Sequence, residues 1–212
     1  MVKIMNKLFI IGLPRTGTTS ISVALLDYGF NVAHTAYTKR AFELADVVSD
    51  SPCFCDYRHL DTLFPGSKFV YLERELSLWV PSMQMLINKM AASLDLKTGV
   101  FNPVLKRTFN ETFKLSSTST PDNHQHLINC YQQHKLAVHS YFKGRDDLLS
   151  IDVSKPNSLS ELLAFIGVDS DEELSFPHLN IGKKVACWKE YKHPNKVNSN
   201  AAGKEQRKFF SY

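Results

Sequence analysis

Arg15, Thr18 and Thr19 lie within Gly12–Leu13–Pro14–Arg15–Thr16–Gly17–Thr18–Thr19–Ser20, between a short apolar run and a segment of helical spacing. Such a turn presents consecutive backbone N–H groups, here Thr16 to Thr19, at the positive end of the new helix, the chemistry of an anion cradle. The Thr18 and Thr19 hydroxyls add donors, and Arg15 adds a fixed charge. The spacing Gly12-x4-Gly17 followed by Thr18–Thr19 is that of a Walker A loop, except that Thr18 stands where the Lys belongs. Users of ATP and GTP rely on that Lys at the β- and γ-phosphates. The loop is therefore expected to hold a phosphate, with Arg15 in place of the missing charge.

A second pair follows later. Arg74 ends an apolar run, and Ser82 comes eight residues on, inside the next helical segment. Eight residues turn a helix by about 800°, which returns Ser82 to within roughly 80° of the same face. A guanidinium and a hydroxyl so placed can hold a second phosphate. With Glu73 and Glu75 as neighbours, Arg74 also fits a plain surface ion pair.

The intervening chain alternates between strand and helix patterns. Strands are expected at Leu8–Ile11, Asn31–Thr35, Asp46–Asp50, Lys68–Leu72 and Leu148–Val153. Helices are expected from Thr18 to a Gly29 cap, at Lys39–Ala45, Tyr57–Phe64, Leu76 to Met90, Leu127–Phe142, and Ser160–Ile166 with Gly167 as cap. Pro65–Gly66 marks a turn. Residues 91–126 read as irregular, with Ser116–Asp122 as a mobile loop, and are expected on the acceptor side. Residues 183–212 are Lys- and Asn-rich and read as a basic tail or a lid. The alternation predicts one α/β domain over 1–212: a P-loop NTPase-like three-layer fold with a mostly parallel central sheet flanked by helices. In such sheets ligands sit at the carboxyl ends of the strands, where Arg15, Asp50 and Arg74 fall.

Composition narrows the classes. The chain has 212 residues, 43% hydrophobic and 22% charged, which suits one globular domain. A net charge of +4 fits an anionic ligand and is too small to argue for nucleic acid. Cys53, Cys55, Cys130 and Cys187 form neither a disulfide framework nor a zinc pattern, so they read as reduced thiols and predict a cytoplasmic protein. No run reaches membrane-spanning length, and the run Leu8–Leu13 is too short for a signal peptide. Nothing in the sequence specifies an oligomeric state.

A Walker-like loop without its Lys, together with Arg-x7-Ser after a later strand, resembles the sulfotransferases that use 3′-phosphoadenosine-5′-phosphosulfate (PAPS). Pro14–Arg15–Thr16–Gly17–Thr18–Thr19–Ser20 is similar to the donor loop of the compact P-loop sulfotransferase-like family. Ser49–Asp50–Ser51–Pro52, Leu63–Phe69, Arg74 with Trp79 and Ser82, Leu149–Val153 and Phe176–Asn180 follow the order and spacing of that family, so the resemblance covers about residues 7–182. It implies sulfuryl transfer from PAPS to a hydroxyl or amine of a small-molecule acceptor, leaving 3′-phosphoadenosine-5′-phosphate, with no metal. It also implies that the loop holds the 5′-phosphosulfate, and that Arg74 and Ser82 hold the 3′-phosphate. Relatives place a His or an acid after an early strand, about two dozen residues before that Arg. Asp50, 24 residues before Arg74, is the first candidate for the base, with His34 and His59 as rivals. His59 precedes Leu60, as in the His-Leu pair of cytosolic sulfotransferases. Gly182 through Lys189 shares some of the character of their nucleotide lid.

Two other classes compete with this reading. A small-molecule or nucleotide kinase would need a magnesium-holding acid after an apolar strand, for which Asp152 is the fair candidate. A non-catalytic nucleotide-binding member of the fold would keep the donor residues alone. Phe101, Phe109 and Phe113 fit an acceptor pocket or simple core packing.

Overall fold

The computed structural model describes residues 7–168, 174–176 and 188–202. The Phe176–Asn180 stretch is described only at Phe176, which is buried, and residues 183–187 and 203–212 of the tail lie outside the described residues. The described residues form five strands and seven helices, opening with β1 Leu8–Ile10, α1 Thr18–Asp27, β2 Val32–Ala33, α2 Lys39–Leu44, β3 Val47–Ser49 and α3 Cys53–Leu63. They are followed by β4 Lys68–Leu72, α4 Leu76–Leu94, α5 Pro103–Phe113, α6 His124–Tyr141, β5 Leu148–Ile151 and α7 Ser158–Ile166.

Every strand pair is parallel, in the order β2-β3-β1-β4-β5. Leu8 lies opposite Val47 on one side and Lys68 on the other. The alternation of side chains along each strand assigns the two faces. Leu8, Ile10, Val47, Val70 and Leu72 pack on Ile21 and Leu25 of α1 and on Leu159 and Leu163 of α7. Phe9, Ile11, Val48, Phe69 and Tyr71 pack on Phe42 of α2, Tyr57 and Leu60 of α3, and Val138 of α6. A third cluster joins Leu13 and Phe54 to α4, α5 and α6 through Trp79, Phe109, Phe113 and Leu127. Central strands that are mostly apolar and covered on both faces are what a parallel sheet requires, because its crossover helices need both surfaces.

Three expectations change. Residues 91–126 hold a regular helix, α5, opened by Asn102, whose Oδ1 accepts the Val104 N–H at 2.9 Å, with Pro103 at the first position. The helix expected at Tyr57 begins at Cys53, directly after Pro52. The described part of the tail, residues 188–202, is docked along the sheet edge. Val32 N–H bonds Asn195 O at 3.0 Å and Val197 N–H bonds Val32 O at 2.9 Å, so β2 is backed by the C-terminal segment. No helix among the described residues is long and apolar enough to cross a membrane.

Candidate active site

The connections leaving β1 and β4 depart toward opposite edges of the sheet, which opens a crevice at the carboxyl ends of these neighbours. The Gly12–Ser20 loop lines one side and Arg74 the other. Two glycines let the loop close. A Cβ on Gly12 would stand 2.5 Å from Cβ of Leu72, and Gly17 takes φ +111° with its α-carbon against Val153. Only glycine meets both demands without strain. Gly17 caps α1, whose first internal bond runs from Ile21 N–H to Gly17 O at 3.1 Å. The N–H groups of Thr18, Thr19 and Ser20 are left without intrahelical acceptors, as helix geometry dictates.

The loop is braced from within and from α4. Thr16 Oγ1 donates to Leu13 O at 2.7 Å, and Trp79 Nε1 donates to Pro14 O at 2.9 Å. Thr16 is thus committed to the turn itself, and Thr16, Thr18 and Ser20 are buried. Among the loop hydroxyls, that of Thr19 is the partly open one, 3.5 Å from Nε2 of His34.

Arg15 and Arg74 converge across the crevice. Arg15 Nε donates to Ser82 Oγ at 2.8 Å, and Arg74 Nη1 donates to the Arg15 carbonyl. Tyr131 of α6 holds the Arg74 backbone, accepting from its N–H at 2.9 Å and donating to its carbonyl at 3.1 Å. The acidic neighbours do not neutralise Arg74. Glu73 pairs with Lys135 at 2.8 Å, and Glu75 accepts from Ser77 Oγ at 2.6 Å. Among the described residues neither Arg15 nor Arg74 has a carboxylate within ion-pair distance. Burial, and then the Arg74 charge, push the Arg15 pKa down. Two neighbouring guanidiniums, with Asp50 acting on Arg15 only from beyond ion-pair distance, make a site for an anion.

Asp50 follows β3 on the opposite flank of β1. It adopts φ +56°, and Arg15 adopts φ +72°, so both occupy the left-handed region that non-glycine residues seldom enter. Such backbone costs on the order of 1 kcal/mol and clusters at functional positions. Burial pushes the Asp50 carboxyl up to about 7, against opposing pulls from the Ser51 N–H and from Arg15. A carboxyl that ionises near neutrality suits a general base. Next to it, His34 Nε2 lies 3.8 Å from Asp50 Oδ2. Burial, with Lys196 nearby, pushes His34 down to about 4, so its ring is neutral at pH 7.

His59 is not brought to this group. It is the seventh residue of α3 and exposed, about 9 Å along the helix from Cys53. The helix runs away from the carboxyl edge of the sheet. Just past its end, Phe64 packs on Phe9 at 5.5 Å and under Lys7, at the start of β1. Asp152, the acid weighed for a kinase, follows edge strand β5, two strands from β1, and its Oδ1 accepts from Ser154 N–H and Oγ in a local turn. Phe109 and Phe113 are buried in the third core cluster, and Phe101 packs against it. Cys55, Asp56 and Glu111 lie close enough together to suggest a metal site, but Arg107 already occupies the gap, bonded to both carboxylates. The sequence reading missed Tyr131, and gave no role to Ser22 and Ser49, which touch His34.

A search of curated proteins finds no match. A family model for the sulfotransferase domain matches residues 35–185, which takes in Asp50, Arg74 and Ser82 and over half of the chain. With its five-stranded parallel sheet between helices, the chain belongs to the sulfotransferase-domain family.

Proposed function

We propose that this sulfotransferase-type domain uses PAPS as donor and passes its sulfuryl group to a hydroxyl or amine of a small-molecule acceptor. The observation that carries the reading is the convergence of Arg15, Ser82 and Arg74 on one crevice, with no carboxylate within ion-pair distance of either guanidinium among the described residues. In this reading the N–H groups of Thr18, Thr19 and Ser20, with Arg15, bind the 5′-phosphosulfate and stabilise charge developing on the bridging oxygen. Arg74 and Ser82 bind the 3′-phosphate. Discrimination against ATP then comes from a contact that ATP lacks, and from the missing loop Lys.

Asp50 is the base of this account. Its carboxylate takes the acceptor proton as the acceptor oxygen or nitrogen attacks sulfur in line. The bond from sulfur to the bridging oxygen breaks, and the electron pair leaves with the phosphate. Sulfur-35-labelled PAPS incubated with a panel of phenols, alcohols and amines tests the reading. Label transferred to a panel member, and lost with Asp50→Asn, is the expected result. Intact donor across the whole panel would favour a nucleotide-binding protein without turnover.

A further inference from the structure

The least explained part of the site is a buried polar chain on the sheet face that carries α1. Ser22 and Ser49 are fully buried. Ser22 Oγ donates to Thr18 O at 2.6 Å and lies 2.8 Å from Ser49 Oγ. Ser49 Oγ lies 2.9 Å from His34 Nδ1 and 3.2 Å from the His34 carbonyl.

Proton counting fixes the imidazole. A carbonyl only accepts, so the Ser22 proton goes to Thr18 O, and Ser22 Oγ must accept from Ser49. The one proton of Ser49 is shared between Ser22 Oγ and the His34 carbonyl at 3.2 Å and is spent there, so the 2.9 Å contact requires His34 Nδ1 to be the donor, with Ser22 Oγ also 3.4 Å from it. If Ser49 instead donated to Nδ1, the two serine oxygens would meet at 2.8 Å with no proton between them, a repulsive contact in a buried place. His34 Nε2 is therefore bare. It points to Thr19 Oγ1 at 3.5 Å and Asp50 Oδ2 at 3.8 Å, and the ring is backed by Trp188 at 5.2 Å.

Resting on the sulfuryl-transfer reading, we propose that His34 is a positioning residue for Asp50. Its bare Nε2 accepts a hydrogen bond from the Asp50 carboxyl once that group has taken the acceptor proton. The balance is simple: the proton leaves the acceptor and stays on Asp50, while His34 remains neutral. The gap of 3.8 Å closes to hydrogen-bond length when the O–H forms, since catalytic contacts commonly tighten in the substrate complex. His34 thus moves from rival base to the partner that orients the base.

The charged and titratable groups around the pair come from several elements. Arg15 faces Asp50 from the loop, Tyr37 from the segment after β2 and Cys53 from α3, while Lys196 faces His34 from the C-terminal segment. Burial raises the pKa values of both Tyr37 and Cys53, so both stay neutral at pH 7.

Nitrogen-15 NMR of histidine-labelled protein without substrate reads the tautomer directly. Nδ1 protonated and Nε2 bare between about pH 5 and 8 is expected, with Nε2 shifting as Asp50 titrates near 7 and both signatures lost in Ser49→Ala. A proton on Nε2, or an imidazolium forming near the ordinary histidine pKa, would overturn the proposal. This arm needs no turnover, so it judges His34 even if PAPS proves not to be the donor.

In the activity arm, His34→Leu lowers kcat about 10- to 100-fold, with the donor KM within about threefold. The acid limb of its pH profile moves down, because the bond that favours the protonated carboxyl is gone. His34→Gln, whose amide oxygen supplies an acceptor, recovers most of the loss. An unchanged kcat in His34→Leu, or a loss with no movement of the pH limb and no rescue by Gln, would refute the assignment.

Discussion

Arg15 Nε donates to Ser82 Oγ at 2.8 Å across 67 residues of sequence. The bond is possible because β1 and β4 are neighbours in the sheet, so the loop after one faces the helix after the other. It joins the two ends of the proposed donor site, which the sequence keeps far apart.

Ser82→Ala removes this bond and leaves Arg15 half-buried with one donor unpaired. A hydrogen bond to a charged group contributes about 1.5–3 kcal/mol, and part of that returns through water at a half-buried site. The affinity for adenosine 3′,5′-bisphosphate is expected to fall about tenfold by calorimetry, with the melting temperature nearly unchanged.

Arg74→Ala is expected to act selectively. The affinity for adenosine 3′,5′-bisphosphate should fall by about two orders of magnitude, and that for adenosine 5′-phosphate by less than about fivefold, since only the former carries the group Arg74 is assigned to hold. Arg74→Lys keeps the charge but loses the planar fork that also reaches the Arg15 carbonyl, and is expected to fall between. Equal losses for both nucleotides would refute the role of Arg74.

Asp50 carries a pH prediction with a definite sign. Its carboxyl ionises near 7 in the folded chain and near 3.8 when unfolded. The folded state therefore binds the extra proton between these values, and stability falls as pH rises through that window. Above about pH 7 the full penalty is present, on the order of 4 kcal/mol from the size of the shift. Asp50→Asn should melt several degrees higher than the parent at pH 8 and nearly level with it at pH 4. In the same variant turnover should fall at least about 100-fold, and the parent's rate should rise with pH to a plateau above 7.

Gly17→Ala tests the loop backbone. The new Cβ needs φ +111° and collides with Val153, so it introduces strain of about 1–3 kcal/mol and displaces the first N–H groups of α1. Bisphosphate binding is expected to be lost while the far-ultraviolet circular dichroism spectrum persists.

Much of this site was legible. Lys68–Leu72 is an apolar run after one Lys, set between the Pro65–Gly66 turn and Glu73–Arg74, and it forms β4 over the residues expected. The Gly12–Ser20 loop declared itself by residue type. Helix α5 was not seen, because Thr108, Phe109 and Phe113 are its only buried residues and so narrow a stripe is easily lost. Its Asn102–Pro103 start was readable. The docking of residues 188–202 combines backbone bonds to an edge strand with contacts of a few scattered side chains, Trp188, Tyr191, Asn195, Val197 and Ser199, which follow no strand or helix period, so a Lys- and Asn-rich stretch reads as solvated. The Ser22–Ser49–His34 chain depends on strand order. Nothing local in three separate stretches announces that they meet.

In the proposed function the crevice selects a nucleotide carrying a 3′-phosphate. Titration of the protein by calorimetry with adenosine 3′,5′-bisphosphate, and separately with ATP and magnesium, tests it most directly. Saturable binding of the bisphosphate is expected, with ATP and magnesium at least about 100-fold weaker, a gap of roughly 2.7 kcal/mol. Equal or tighter binding of ATP and magnesium would contradict it.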